Sequence, residues 1–475
     1  MLAGSRNFKD NAHRALHDPD LQAELKKLSG GFSVARANAA AGLPEFEELR
    51  DAARDIKDHT LANLDFYLER FEAKVVENGG KVHWCRDAEE ARQTVLRICR
   101  DLGARTVTKG KTMIGEEIGL NDFLEANGVE PVETDLGEYI IQLRQEPPSH
   151  IIAPAIHVTT EGVAKAFRAK HAHLDPARPL TEPRVMLAEA RAILRERFLA
   201  ADVGITGANF LIAETGSSVI VTNEGNGDLT QTLPKAHVVL ASLEKVIPTL
   251  EDLTVLLRVL ARSATGQEMS VYTTLSTGPR RPDDPDGPGE YHVVLLDNGR
   301  SAMVGTEFQD MLRCIRCGAC MNNCPVYQQI GGHAYGWVYP GPMGSVLTPA
   351  LIGIEEAKHL PNASTFCGRC EEVCPVRIPL PKMMRHWRER EFERHLQPAA
   401  ARYGLKLWAF LAARPRLYRF ATGAAARTLG LLGRRRGHFR SLPLAGGWTG
   451  ARDMPAPEGR TFHQLWAERQ QAGRR

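Results

Sequence analysis

Seven of the nine cysteines lie within 61 residues, between Cys314 and Cys374. The first run reads Cys314-Ile-Arg-Cys317-Gly-Ala-Cys320-Met-Asn-Asn-Cys324-Pro325, a C-x2-C-x2-C-x3-C-P spacing. Thiolates two residues apart on a curling loop can each meet a different iron of one cubane, and this is the spacing of bacterial ferredoxin-type cluster binding. Gly318 lets the backbone approach the cluster, and Pro325 turns the chain away from it. The second run, Cys367-Gly-Arg-Cys370-Glu-Glu-Val-Cys374-Pro375, matches the last three cysteines of the same pattern, with Ser364 in the place of the first. In two-cluster ferredoxins the fourth cysteine of a run serves the other cluster. The expected ligands are therefore Cys314, Cys317, Cys320 and Cys374 for cluster one, and Cys324, Cys367 and Cys370 for cluster two. The fourth ligand of cluster two stays open among Ser364, water, another side chain, a partner residue or a three-iron form. Zinc, which favours two separated C-x2-C pairs and four ligands per ion, fits these runs poorly.

The elements that must hold these motifs are legible in outline. The 42 residues between Cys324 and Cys367 exceed the spacer of small ferredoxins and suit a helical ferredoxin module. Upstream, residues 1–100 look mostly helical, with one helical period from Pro44 to Phe71. From about 104 to 300 short strands alternate with helices. The strand candidates are Arg105–Thr108, His150–Ile156, Val203–Ile205, Ser218–Thr222, His237–Leu240, Met269–Thr274 and His292–Asp297, with helices at Thr160–His171 and Leu180–Phe198. Such alternation argues for an α/β layered domain on a largely parallel sheet. The expected division is a helical segment at 1–70, an α/β domain at 71–300, a helical ferredoxin domain at 301–385 and a basic region at 386–475.

Two other segments could bind an anion: Thr108-Lys109-Gly110-Lys111-Thr112, and the stretch from Ile205-Thr-Gly-Ala-Asn209 through Glu214-Thr-Gly-Ser217 to Thr222-Asn-Glu-Gly-Asn226. Glycines and hydroxyls between strands can form such loops, although tight turns use the same residues. Glu214 is a candidate acid, base or nucleophile. No P-loop or dinucleotide fingerprint is present. Cys85 and Cys99, isolated, read as small buried apolar residues.

Charge and composition bound the rest. The 475 residues suffice for two or three domains, and 43% apolar with 25% charged is ordinary for a globular chain. With 20 Lys+Arg against 6 Asp+Glu, residues 381–475 carry net +14, leaving −11 for the remainder. Basic residues from Arg402 to Arg436, interleaved with Trp408, Phe410, Leu417 and Phe420, suggest an amphipathic surface helix broken near Pro415, meeting an acidic partner or an anionic membrane. Nucleic acid is not expected as a partner, since the tail has no recognised nucleic-acid fold. Without an export signal or a long apolar run, the chain is expected in the cytoplasm, at the inner face of the membrane if the tail binds lipid.

Taken together, Ser149-His-Ile-Ile-Ala-Pro-Ala-Ile156, Asp202-Val-Gly-Ile-Thr-Gly-Ala-Asn209, Ala213-Glu-Thr-Gly-Ser217, Cys370-Glu-Glu-Val-Cys-Pro-Val-Arg-Ile-Pro379 and the two cysteine runs resemble the lactate utilization protein B family over essentially the whole chain. The resemblance implies an N-terminal LUD domain, related in fold to ribose-5-phosphate isomerase and CoA transferases, and two [4Fe–4S] clusters. It implies an electron-relaying subunit of a multi-protein system that oxidises L-lactate to pyruvate, with other subunits and electron donor and acceptor proteins as partners. The family shares the seven-cysteine arrangement, so Ser364 is no departure from it. Two rival readings remain: another 2-hydroxy acid such as glycolate, or a disulfide, as substrate; and a LUD-domain enzyme with regulatory clusters.

Overall fold

Strands of the α/β region, such as Ala236–Ser242 with sequence AHVVLAS, are apolar on both faces, which suits a sheet covered on both sides. The computed structural model describes residues 4–443, 445–449 and 452–472. Six strands form one wholly parallel sheet: β1 (Lys81–Cys85), β2 (Thr106–Gly110), β3 (Glu130–Glu133), β4 (Val203–Thr206), β7 (Ala236–Ser242) and β10 (Glu290–Leu296), in the order β1-β10-β7-β4-β2-β3. A second sheet, order β8-β5-β6-β9, holds β5 (Phe210–Ile212), β6 (Ser217–Thr222), β8 (Val246–Ile247) and β9 (Tyr272–Ser276). Alternate residues serve two cores. Val238, Leu240, Val294 and Leu296 pack under the helix Ala88–Asp101. Val239, Ala241, Val293 and Leu295 pack under the helix Leu64–Glu77. Cys85 and Cys99 sit in the first of these cores, as small buried residues.

Three sequence expectations need correction. The expected strand His150–Ile156 is a loop: the N–H of Ser149 donates to the Pro154 carbonyl at 3.1 Å, and those of Ile152 and Ala153 donate to His150 Nδ1. Pro154 and these local bonds leave no free ladder for a sheet. The period from Pro44 to Phe71 is two helices, Phe46–Ala62 and Leu64–Glu77, separated at Asn63 (φ −132°, ψ 38°). Glu130–Glu133 and Lys81–Cys85 are strands the pattern did not mark; both are edges, one carrying Pro131 and the other of mixed polarity.

The chain divides into compact units at Met1–Glu391 and Phe392–Arg475. Within the second, the helices Ala399–Ala412 and Pro415–Gly433 meet at the expected break, with Pro415 at a first-turn position where its missing N–H costs nothing. Tyr403, Trp408, Phe410 and Phe420 are exposed there. Among the described residues no helix is long and apolar enough to cross a membrane.

Candidate functional site

The two cysteine runs fold alike, offset by 50 residues. Arg316 and Gly318 flank Cys317 with φ of 59° and 76°; Phe366 and Gly368 flank Cys367 with φ of 54° and 82°. A left-handed residue on each side of a cysteine curls the loop, at a cost in strain for the non-glycine members. The N–H groups of Met321, Asn322, Asn323 and Cys324 donate to Gly318, Gly318, Ala319 and Met321; those of Glu371, Glu372, Val373 and Cys374 repeat the pattern on Gly368, Gly368, Arg369 and Glu371. This offset puts Ser364 opposite Cys314. Ser364 is half-buried, and its Oγ accepts the Phe366 N–H at 3.1 Å.

Cys314, Cys317, Cys320 and Cys374 line one small pocket, with Ile151, Ile315 and Met343 among its walls. Cys324, Cys367 and Cys370 lie within electrostatic reach of one another, and Cys320 within reach of Cys370. Cys367 is exposed, whereas Cys317, Cys324, Cys370 and Cys374 are buried. Among the described residues no three His, Cys, Asp or Glu side chains converge on a site for a single ion.

Backbone donors surround the sulfurs. Burial pushes the Cys317 and Cys370 thiols up to about 12 and Cys374 to about 11, opposed by backbone N–H groups aimed at the sulfurs. Donors include Ala319 to Cys317, Val326 and Tyr327 to Cys324, and Ile378 to Cys374 at 3.4 Å. Such N–H···S bonds favour thiolates and tune cluster potentials. The residues therefore fit iron–sulfur clusters.

The supports come from far away in sequence. From the N-terminal helices, Arg36 donates to the Val373 carbonyl at 2.9 Å, and Arg50 to the carbonyls of Glu372 and Cys374 at 2.6 and 2.8 Å. His150 Nδ1 is an acceptor, so Nε2 carries the proton and donates to Asn322 Oδ1 at 2.7 Å. Burial lowers this imidazole to about 4, consistent with a neutral, structural histidine. Beneath the first run, Glu117 accepts from Arg300 (2.6 and 3.0 Å), Tyr339 (2.6 Å) and Asn298 (2.7 Å). Glu244 ion-pairs Arg300 and Arg316, each at 3.1 Å. Sequence reasoning missed Arg36, Arg50, Glu117, Glu244 and Arg300, because no local pattern marks a partner so distant in sequence.

The anion-binding candidates separate. Lys111, Thr112, Gly207, Asn209, Thr222 and Asn223 line a common cleft. Lys109 is instead buried between Glu116 and Glu133 at 2.7 and 2.6 Å. Glu214 is exposed, and its carboxylate accepts the Leu250 N–H at a helix start, 3.1 Å away. Glu214 is not among the cleft residues, and its geometry is that of a cap. Residues 213–216 are the turn between β5 and β6, with Gly216 at φ 71° and Ser217 opening β6.

The LUD domain family matches residues 68–296, a 4Fe-4S dicluster domain matches 310–378, and the family described as lactate utilisation protein B, C-terminal, matches 377–471. The chain is 43% identical to a lactate utilization protein B of Macrococcus caseolyticus, over 100% of this chain and 99% of that one. It is 42% identical to an uncharacterized electron transport protein YkgF of Escherichia coli, covering 99% and 98%. It is 39% identical to a lactate utilization protein B of Bacillus licheniformis, covering 99% and 98%.

Proposed function

This chain belongs to the lactate utilization protein B family, and we propose that it is the iron–sulfur electron-transfer subunit of a complex that oxidises L-lactate to pyruvate. The family and the dicluster domain support a role in lactate utilization and electron transport. The particular complex, its donor and its acceptor belong to the proposal. The observation that carries it is the pair of adjacent thiol groups. One group, Cys314, Cys317, Cys320 and Cys374, rings an interior pocket. The other, Cys324, Cys367 and Cys370, reaches the surface through exposed Cys367. In this reading each group holds one [4Fe–4S] cluster, with a partner docking at the exposed end. The reading also takes the α/β region as a layered sheet of the ribose-5-phosphate isomerase and CoA transferase type, the domains as divided at about 70, 300 and 385, and the chain as cytoplasmic.

When bound, the clusters would supply one-electron relay, and lactate releases two electrons, so hydride abstraction falls outside them. The chain's own residues do the rest. Ile151, Ile315 and Met343 line the first group with apolar side chains. Arg36 and Arg50 fix the backbone that carries Cys374. Lys57 and Arg316 set positive charge beside Cys314, which favours an anionic centre there.

The test is co-expression with the neighbouring subunits, anaerobic purification, and addition of L-lactate while the visible iron–sulfur band is followed. Bleaching by L-lactate is expected. Bleaching by glycolate alone would change the substrate, and no bleaching by any 2-hydroxy acid would contradict the role.

We assign the basic unit Phe392–Arg475 to an anionic surface, either an acidic partner or the inner face of the membrane. Full-length holoprotein should sediment with vesicles containing anionic lipid at low salt and come off as salt rises, because exposed charge is screened. Replacing Arg434, Arg435 and Arg436 with Gln should weaken this binding. Complete recovery in the supernatant at low salt would leave only the acidic-partner reading.

A further inference from the structure

The parallel strands deliver residues to one cleft at their carboxyl ends: Lys111 and Thr112 after β2, Asp135 after β3, Asn209 after β4 and Lys245 after β7. Its volume is about 1120 Å³ including the open mouth. Ligands of open α/β sheets bind at this edge, where the loops diverge. Here the cleft also includes Arg316 and Cys317 of the first cysteine run. Cys317 lines the cysteine pocket as well, so this residue borders both spaces.

The cations of the cleft are not equivalent. Lys111 is paired with Asp135 at 2.8 Å, and Arg316 with Glu244 at 3.1 Å. Lys245 is only 7% exposed, and its ammonium has neither a hydrogen bond nor an ion pair among the described residues. The charged or titratable groups around it are Arg316, Glu244, Cys314 and Lys57. Burial, with Arg316 nearby, lowers this ammonium to about 7, and an anion seated against it would restore the stability of its charge. Apolar side chains, including Ile114, Leu240 and Leu260, share the same walls. The geometry points to a binding site for a small organic carboxylate in this cleft, its charged end on the Lys245 ammonium and its carbon chain along the apolar wall. The charge argument stands by itself; the choice of a 2-hydroxy acid or its oxo acid as that carboxylate rests on the function proposed above.

The test is calorimetric titration of anaerobic holoprotein with L-lactate, pyruvate, acetate and inorganic phosphate. L-lactate or pyruvate should bind saturably. Lys245→Met should weaken that binding at least tenfold while iron content and the visible band stay unchanged. Ala264→Phe, which fills the cleft from the end of the helix Leu250–Ala264, should do the same and carries the test if the lysine variant does not fold. Acetate binding without lactate or pyruvate binding would keep the site and remove the 2-hydroxy acid as its ligand. Phosphate binding alone would overturn the carboxylate class. No binding at all, or binding that survives both substitutions, would overturn the site. A Lys245→Met protein whose cluster midpoint potential shifts while carboxylate binding persists would show instead that the lysine only balances the cluster's charge.

Discussion

Brief exposure of the holoprotein to air should produce the EPR signal of a three-iron cluster. Cys370→Ser should remove nearly all of that signal, and Cys317→Ser should leave it. The reasoning starts from ligand count. The pocket of Cys314, Cys317, Cys320 and Cys374 offers a thiolate to every iron of a cubane, and it is walled by apolar side chains. The second group offers three thiols, and the 50-residue offset between the two runs puts Ser364 in the place of Cys314. An iron held by a hydroxyl or water is the easier one to lose, and oxidation turns that cubane into a three-iron form. Exposed Cys367 gives the oxidant a route. Ser364→Cys should make the second cluster resistant to air. The Ser364 loop is already held in place, because the Arg388 guanidinium lies 4.1 Å from the Phe366 ring centre and donates to the Pro361 carbonyl at 2.9 Å. Loss of both clusters at the same rate without a three-iron signal would contradict the vacancy. A signal abolished by Cys317→Ser and retained in Cys370→Ser would overturn the ligand grouping.

The second large effect is on stability. Arg300 is 1% exposed and bridges Glu117 and Glu244, which are themselves buried. Burial lowers the basicity of its guanidinium, but the two carboxylates more than compensate and hold it charged. Arg300→Met would leave Glu117 buried without a cation and Glu244 with Arg316 alone. Breaking a buried pair from one side typically costs about 3–5 kcal/mol, because the remaining charge stays buried and unpaired. The urea midpoint of the holoprotein should fall accordingly. The double substitution Arg300→Met with Glu117→Met should recover part of the loss, since Glu244 keeps Arg316 at 3.1 Å. Arg54→Ala, which removes a partly exposed cation near Asp51 and Asp55, should cost no more than about 1 kcal/mol. A similar fall for Arg54→Ala and Arg300→Met would contradict the account. The same network sets a response to acid. Burial pushes the Glu244 carboxyl up, but Arg300 and Arg316 prevail and hold it at about 2, below its ordinary value. A depressed folded-state pKa gives stability that is complete above the unfolded value of about 4.3 and is lost as pH falls toward the folded one. Glu244→Gln should flatten the acid limb of a stability profile in that interval.

What could be read from the chain alone followed the range of the interactions. The cysteine spacings are local, so the grouping of thiols and the place of Ser364 could be argued from them, and the folded runs share one backbone pattern. Strands such as Ala236–Ser242 and Glu290–Leu296 are buried on both faces and read clearly. Edge strands did not: Pro131 removes a donor from one, and Lys81–Cys85 mixes charge with aromatics. The segment His150–Ile156 has strand-like residues, but it closes on His150 and packs beside Gly318, whose Cβ would meet the His150 ring at 3.4 Å. The glycine and hydroxyl segments correctly signalled strand ends, yet only part of each reaches the cleft, and Glu214 faces a helix start. Arg36, Arg50 and Arg300 could not be found, because an arginine in an amphipathic helix or loop looks solvated until the fold brings a distant carbonyl or carboxylate to it.

The most direct measurement is metal analysis of anaerobically purified or reconstituted protein, read with its visible spectrum. Two clusters in one chain predict roughly seven to eight irons with matching sulfide, and a broad visible band that bleaches on reduction. Stoichiometric zinc with no iron would contradict the account.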